Sequence, residues 1–161
     1  MAIWAKIKQL KLSQLFVLAK TFLFKPRLIL PTYKATKNTV QICNNLFGKA
    51  HHKDNKTNAF RHAFWNFKIA EASLPHVKQR EKAAAWAKEI TNLHERLSPN
   101  PTLPQTMDLH NNKIGRQLFL QNISSEEIVE KLQVMMKNAK LVHQAQEISA
   151  YHNHLVFIET M

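Results

Sequence analysis

A single cysteine, Cys43, in 161 residues rules out an internal disulfide framework and a cysteine-rich zinc module. Its plainest role is a buried spare thiol. Two glycines, and no Gly/Ser-rich or low-complexity tract, argue against disorder and against a barrel with many tight turns. Helices are therefore the default, and no repeat of solenoid period is present. Lysine interrupts the apolar stretches of the N-terminal segment every few residues, so no run there approaches the roughly 18 to 20 residues that span a bilayer. A cleaved signal peptide also fits poorly, because Lys20 breaks its apolar centre and no clear small-residue cleavage site is present. Neither HExxH nor a recognisable Ser or Cys nucleophile motif occurs.

Acidic residues are scarce too. Lys and Arg number 23 against 11 Asp and Glu, a formal charge of +12 that attracts polyanions. From Met1 to Arg27 there is no acidic residue, while Lys6, Lys8, Lys11, Lys20, Lys25 and Arg27 alternate with Ile, Leu, Phe and Trp4. Leu12, Leu15, Phe16, Ala19, Phe22 and Leu23 share one helical face. Such a cationic amphipathic helix either packs on the domain or lies in the headgroup region of an anionic membrane. The expected location is cytoplasmic, in the second case peripheral on the inner face of the membrane. A nucleic-acid surface is the weaker alternative, since it needs exposed stacking aromatics and the aromatics here look buried.

Residues 1–30 thus read as a basic amphipathic segment and 31–161 as one mainly α, compact multi-helix domain. Pro31 suits the first turn of a helix running toward Gly48, and Lys49 to Lys56 reads as a loop. Thr57 or Asn58 then caps a helix reaching about Ser73. Asn58, Arg61, His62 and Trp65 form one stripe of it, while Phe60, Phe64 and Phe67 face elsewhere, so neither side is a plain solvent face. Residues 76–97 form a second helical pattern in which Ala83, Trp86, Ala87, Ile90 and His94 share a face. Three prolines make residues 98–104 a stiff loop, and a third helix starts near Thr106 or Asp108.

On that third helix Asp108, Asn111, Asn112 and Gly115 follow i, i+3, i+4, i+7 spacing. Gly115 costs about 1 kcal/mol of helix propensity, which makes sense where a backbone or a ligand comes close. Ser124 and Glu127 match a capping box for a helix from about Ser125 into the 140s, with Met135, Met136 and Leu141 among its core residues. Leu155 to Ile158 is one short C-terminal strand or a packed tail.

The polar stripes carry ligand chemistry. His62, His94, Glu95, Asp108 and Asn112 include the ligand types expected at a divalent metal site, with His62, His94 and Asp108 as the set assigned to the ion. Adjacent His94 and Glu95 point about 100° apart, so both cannot be assumed to reach one ion. Without metal, His62, His94, Glu95 and Asp108 can serve as general bases and orienting groups, with water as the direct nucleophile. Asn58, Arg61, Trp65, Asn111 and Asn112 line up as substrate contacts, Arg61 holding a phosphate charge. The remaining histidines, His51 and His52 among them, are for the most part assigned to solvated positions.

The order NAFRHAFWN, ITNLHE, MDLHNNKIG, over about residues 55–118, resembles a bacterial family catalogued as a domain of unknown function. Similar domains stand at the ends of large secreted wall-associated and repeat-type proteins. The resemblance implies a shared polar site at Asn58, Arg61, His62, Trp65, His94, Glu95, Asp108, Asn111, Asn112 and Gly115, and by analogy a hydrolytic activity. Two readings follow: a helical hydrolase, metal-assisted, acting at a membrane surface on a phosphate-bearing or lipid-linked substrate; or a non-enzymatic basic module for anionic lipid, nucleic acid or a protein partner.

Overall fold

The computed structural model describes residues 19–97 and 101–159. The longest helix, Lys56–Val77, begins where the Asn55 side chain accepts hydrogen bonds from the backbone N–H groups of Thr57 (2.9 Å) and Asn58 (3.1 Å). Asn55, two residues before Thr57 and three before Asn58, is therefore its cap. The helix buries Asn58, Phe60, His62, Phe64, Asn66, Phe67, Ile69 and Ser73 on more than one side, which requires neighbours around most of its circumference.

Those neighbours are α1 (Ile29–Phe47), α3 (Arg80–Leu97), α4 (Thr102–Leu120) and α5 (Ile128–Lys137), all packed on the Lys56–Val77 helix, here α2. Helix α1 starts with Pro31 in its first turn, where the missing N–H costs nothing, and stops at Gly48, whose φ of 58° ends the helix. Phe60, Phe64 and Phe67 of α2, Trp86 of α3, Phe119 of α4 and Ile128 and Leu132 of α5 form one continuous core. Phe67 meets Phe119 edge-on, with ring centroids 5.9 Å apart.

Two helices extend beyond the expected bounds of about Ser73 and Thr106. Pro75 lies inside the last turn of α2, which ends only at Lys78, a residue with φ 59° whose N–H reaches the Leu74 carbonyl. Pro104 sits in the first turn of α4, where its missing donor is again without cost, so that helix starts at Thr102. In the other direction, α5 is shorter than expected. Its capping box is present, with Ser124 and Glu127 exchanging hydrogen bonds of 3.1 and 3.2 Å, yet the regular helix spans only Ile128–Lys137. Leu141, expected in the core, is exposed.

Its segment serves another purpose. Lys140–Leu141 (β1) pairs in parallel with Val156–Phe157 (β2), the partner that the expected C-terminal strand lacked. Val142, Ile148, Val156 and Ile158 pack with Met107 of α4 in a second, smaller core. The fold is mainly helical with this two-residue ladder as its sheet.

Of the basic N-terminal face, Met1 to Leu18 lie outside the described residues. Residues 19–23 are helical; Phe22 packs edge-on against Trp86 at 5.8 Å, while Leu23 and Phe24 stay 74% and 76% exposed. Among the described residues no helix is long and apolar enough to cross a membrane.

Candidate metal centre

Close approach of α2 and α4 builds the site. An ideal Cβ on Gly115 would lie 1.9 Å from the Ala63 carbonyl oxygen, so only glycine lets the two backbones meet there. The helix α3 closes the third side. Three carboxylate or imidazole groups then converge: His62 from α2, Glu95 from α3 and Asp108 from α4 each offer a ligand atom within 4.8 Å of the others, and all three are buried. Glu95, rather than His94, completes the group. His94 instead sets its ring edge-on to Trp65 with centroids 5.2 Å apart, one helical step away from the cluster.

The protonation of His62 follows from its partners. Arg61 Nη2 lies 2.8 Å from His62 Nε2, and a guanidinium only donates, so Nε2 carries a lone pair. Nδ1 carries the hydrogen and donates it to Asn112 Oδ1 at 3.2 Å. Burial, aided by Arg61 and His94, holds His62 well below the usual imidazole value, consistent with this neutral form. The 3.3 Å approach of Nε2 to Asp108 Oδ1 is therefore no ordinary ion pair. A lone pair faces a carboxyl oxygen.

That arrangement is costly without something between the groups. Both Glu95 oxygens and Asp108 Oδ1 are buried with no hydrogen-bond partner among the described residues. Burial pushes the Asp108 carboxyl up to about 8, helped by Glu95 and opposed by Arg61, and pushes Glu95 up to about 7. Unpaired oxygens aimed at an imidazole lone pair fit a divalent cation, which would satisfy all of them at once. One imidazole and two carboxylates leave coordination positions open, as catalytic rather than structural sites do.

A second layer, one helical turn away, supports the first. Asn66 Nδ2 donates to the His62 carbonyl oxygen (3.2 Å) and to Asn112 Oδ1 (2.6 Å), while Asn66 Oδ1 accepts from Thr91 Oγ1 (3.2 Å) and Arg116 Nη1 (2.7 Å). Asn66, Thr91 and Arg116 were not among the residues singled out from the sequence. The signal was available: each stands four residues from His62, Glu95 or Asn112, on the same faces already traced. Asn66→Ala will lower divalent-ion affinity 10- to 100-fold and cost about 2 kcal/mol of folding stability, read by calorimetric titration and denaturant unfolding respectively. Unchanged ion affinity would make the layer purely structural.

The remaining sequence candidates are placed as follows. Asn58 is buried, its Nδ2 3.5 Å from Asp54 Oδ1 and its own oxygen without a partner among the described residues. Trp65 is half-buried and donates its indole N–H to Thr36 Oγ1 at 2.9 Å. Asn112 works by holding the His62 ring. Asn111 was expected to position substrate, yet its amide is committed to the Val156 backbone, accepting from N–H (3.0 Å) and donating to C=O (2.9 Å), so it clamps the C-terminal strand to α4. His51, expected in solvent, is fully buried and bonded through Nε2 to Asn44 Oδ1 at 2.8 Å. Cys43 is buried, and burial pushes its thiol up to about 12, which makes it inert as a nucleophile.

Comparison with known proteins returned no match among curated proteins and none among solved structures. The family model described as "Domain of unknown function (DUF6973)" matches residues 19–140, which include His62, Glu95, Asp108 and the whole supporting layer. Since that match covers well over half of the sequence, the chain belongs to the DUF6973 family.

Proposed function

We propose that this protein is a divalent-metal-dependent hydrolase that acts on a phosphate-bearing or lipid-linked substrate at an anionic membrane surface. The observation that carries the reading is the buried His62, Glu95 and Asp108 group with its unpartnered carboxyl oxygens. His62 Nε2, Glu95 and Asp108 would hold the ion. When bound, such an ion polarises a phosphoryl oxygen and makes water a usable nucleophile near neutral pH. Asn112 keeps the imidazole in its Nδ1–H form, Arg61 binds the anionic group, and the Trp65 and His94 rings wall one side. The Asn58 oxygen, buried and without a partner among the described residues, accepts a hydrogen bond from the substrate.

Support for the membrane surface comes from charge and exposure. No acidic residue precedes Asp54 in the sequence, while Lys20, Arg27, Lys34 and Lys37 are exposed alongside Leu23, Phe24, Leu30 and Tyr33. Cations beside apolar side chains match the headgroup region of anionic lipid on an inner membrane face. The same surface favours a second reading, a basic module that binds anionic lipid, nucleic acid or a protein partner without turnover.

The two separate in one set of measurements. Metal-stripped protein, with and without added Mn²⁺ or Zn²⁺, is assayed on a panel of phosphodiesters, phosphomonoesters and phospholipid vesicles. The hydrolase reading expects turnover only with metal, lost by at least about 100-fold in His62→Ala. Sedimentation with phosphatidylglycerol vesicles, but not with phosphatidylcholine vesicles, and no turnover on any substrate would leave the binding module.

A further inference from the structure

The neutral imidazole of His62 offers one in-plane lone pair, at Nε2, and Arg61 Nη2 donates into it from 2.8 Å. A divalent ion held by His62, Glu95 and Asp108 needs that same lone pair. One orbital cannot serve both. We propose that Arg61 is the resident cation of the metal-free centre, that an entering divalent ion evicts it, and that the released guanidinium then anchors a phosphate group. This inference rests on the metal reading above and adds an order of events to it: ion first, anion second.

The charges around Arg61 agree. Burial works most strongly against the charged guanidinium, and Asp108 gives the largest opposing contribution, so Arg61 sits beside the same carboxyl that an ion would take. An ion seated on His62, Glu95 and Asp108 takes that place and repels the neighbouring guanidinium. The way out is already marked. Arg61 is half-buried, and its Nη1 lies 3.4 Å from Nδ1 of His52, an exposed residue on the preceding short helical turn. A guanidinium turned toward that side stands at the rim of the centre with its fork free of Nε2, the geometry in which arginine takes phosphate oxygens bidentately.

The chemistry also explains why the anion comes second. In the metal-free centre a phosphate would meet two carboxyl groups and an arginine already engaged with Nε2. With the ion present, both cations face it.

Calorimetric titrations of the full chain with Mn²⁺, and then with inorganic phosphate, test this. Arg61→Met keeps the aliphatic bulk and removes the competitor. It is expected to bind Mn²⁺ about 10-fold more tightly than the natural chain, while its Mn²⁺-loaded form binds phosphate at least about 10-fold more weakly. Arg61→Lys restores a cation and should return Mn²⁺ affinity toward the natural value. The natural chain needs no variant for its part of the test: phosphate should bind after Mn²⁺ and not before. Equal or weaker Mn²⁺ binding by Arg61→Met, or equal phosphate binding with and without Mn²⁺ in the natural chain, overturns the exchange while leaving the metal reading intact. Absence of Mn²⁺ and Zn²⁺ binding by the natural chain removes both.

Discussion

Asp108→Asn will bind a divalent ion at least about 100-fold more weakly than the natural chain and, in the absence of metal, will be the harder of the two to unfold. The opposite signs come from one feature. The Asp108 carboxyl is buried, with Oδ1 unpaired and facing the His62 lone pair, so its charge is useful to an ion and costly without one. The isosteric amide removes the buried ionisable group that an unfilled centre leaves without a partner. Since the loss of attraction to Arg61 offsets part of the gain, the expected stabilisation is on the order of 2 kcal/mol at pH 7.5, well below the full effect of moving a carboxyl to about 8.

The pH dependence carries the same signature. Asp108 and Glu95 have folded values, about 8 and about 7, above their ordinary 3.8 and 4.5. Their contribution to stability is fully present below the ordinary values and is lost as pH rises through 7 and 8. His62, held well below its ordinary 6.5, works in the other direction and costs stability as pH falls below that value. Between about pH 6.5 and 8 the carboxyls dominate, so the metal-free protein weakens as pH rises and Asp108→Asn flattens the decline. Ion binding takes the deprotonated carboxylates, so the gain in melting temperature on adding Mn²⁺ is larger at pH 8 than at pH 6. Metal-free stability that rises over this window in the natural chain would contradict the assignment.

Gly115→Ala will cost about 4 kcal/mol, a large part of the stability of an ordinary small domain. The added methyl meets three backbone atoms of Ala63, at 1.9, 2.7 and 2.9 Å, and no side chain can rotate away to relieve them. The helices α2 and α4 must separate or shift along each other, which also moves His62 away from Asp108. Lys113→Ala, on an exposed position of the same helix, controls for propensity and should change stability by less than about 0.5 kcal/mol. Equal denaturation midpoints for the two variants would mean that the close approach is not needed.

How much of this was legible in the chain varies by residue for physical reasons. Helical spacing brought Asp108 and Asn112 onto one face and His62 onto another, and those faces do meet, because a polar stripe on a helix buried on several sides must find polar company. The penalty carried by a mid-helix glycine pointed to close approach at Gly115, though not to Ala63 as the neighbour. Spacing along one helix could not say which of His94 and Glu95 turns toward the other two helices. That depends on the rotation of α3, which is set by Trp86, Ala87 and Ile90 in the core, and it selects Glu95. Asn111 shows the converse limit: its face was right, yet its partner is the Val156 backbone, 45 residues away and invisible to any local pattern. The prolines of residues 98–104 were weighted too heavily as a helix boundary, since Pro104 occupies the first turn of α4, where no donor is required, just as Pro31 was expected to do, and does, in α1.

The central claim is that His62, Glu95 and Asp108 together hold one divalent ion. Anomalous diffraction from crystals grown with Mn²⁺ or Zn²⁺ tests it most directly. The account predicts a single strong peak bonded to His62 Nε2 and to oxygens of Glu95 and Asp108, with the Arg61 guanidinium moved off Nε2. No peak at that point, or a peak only at other histidines with Arg61 still seated on His62, would contradict it.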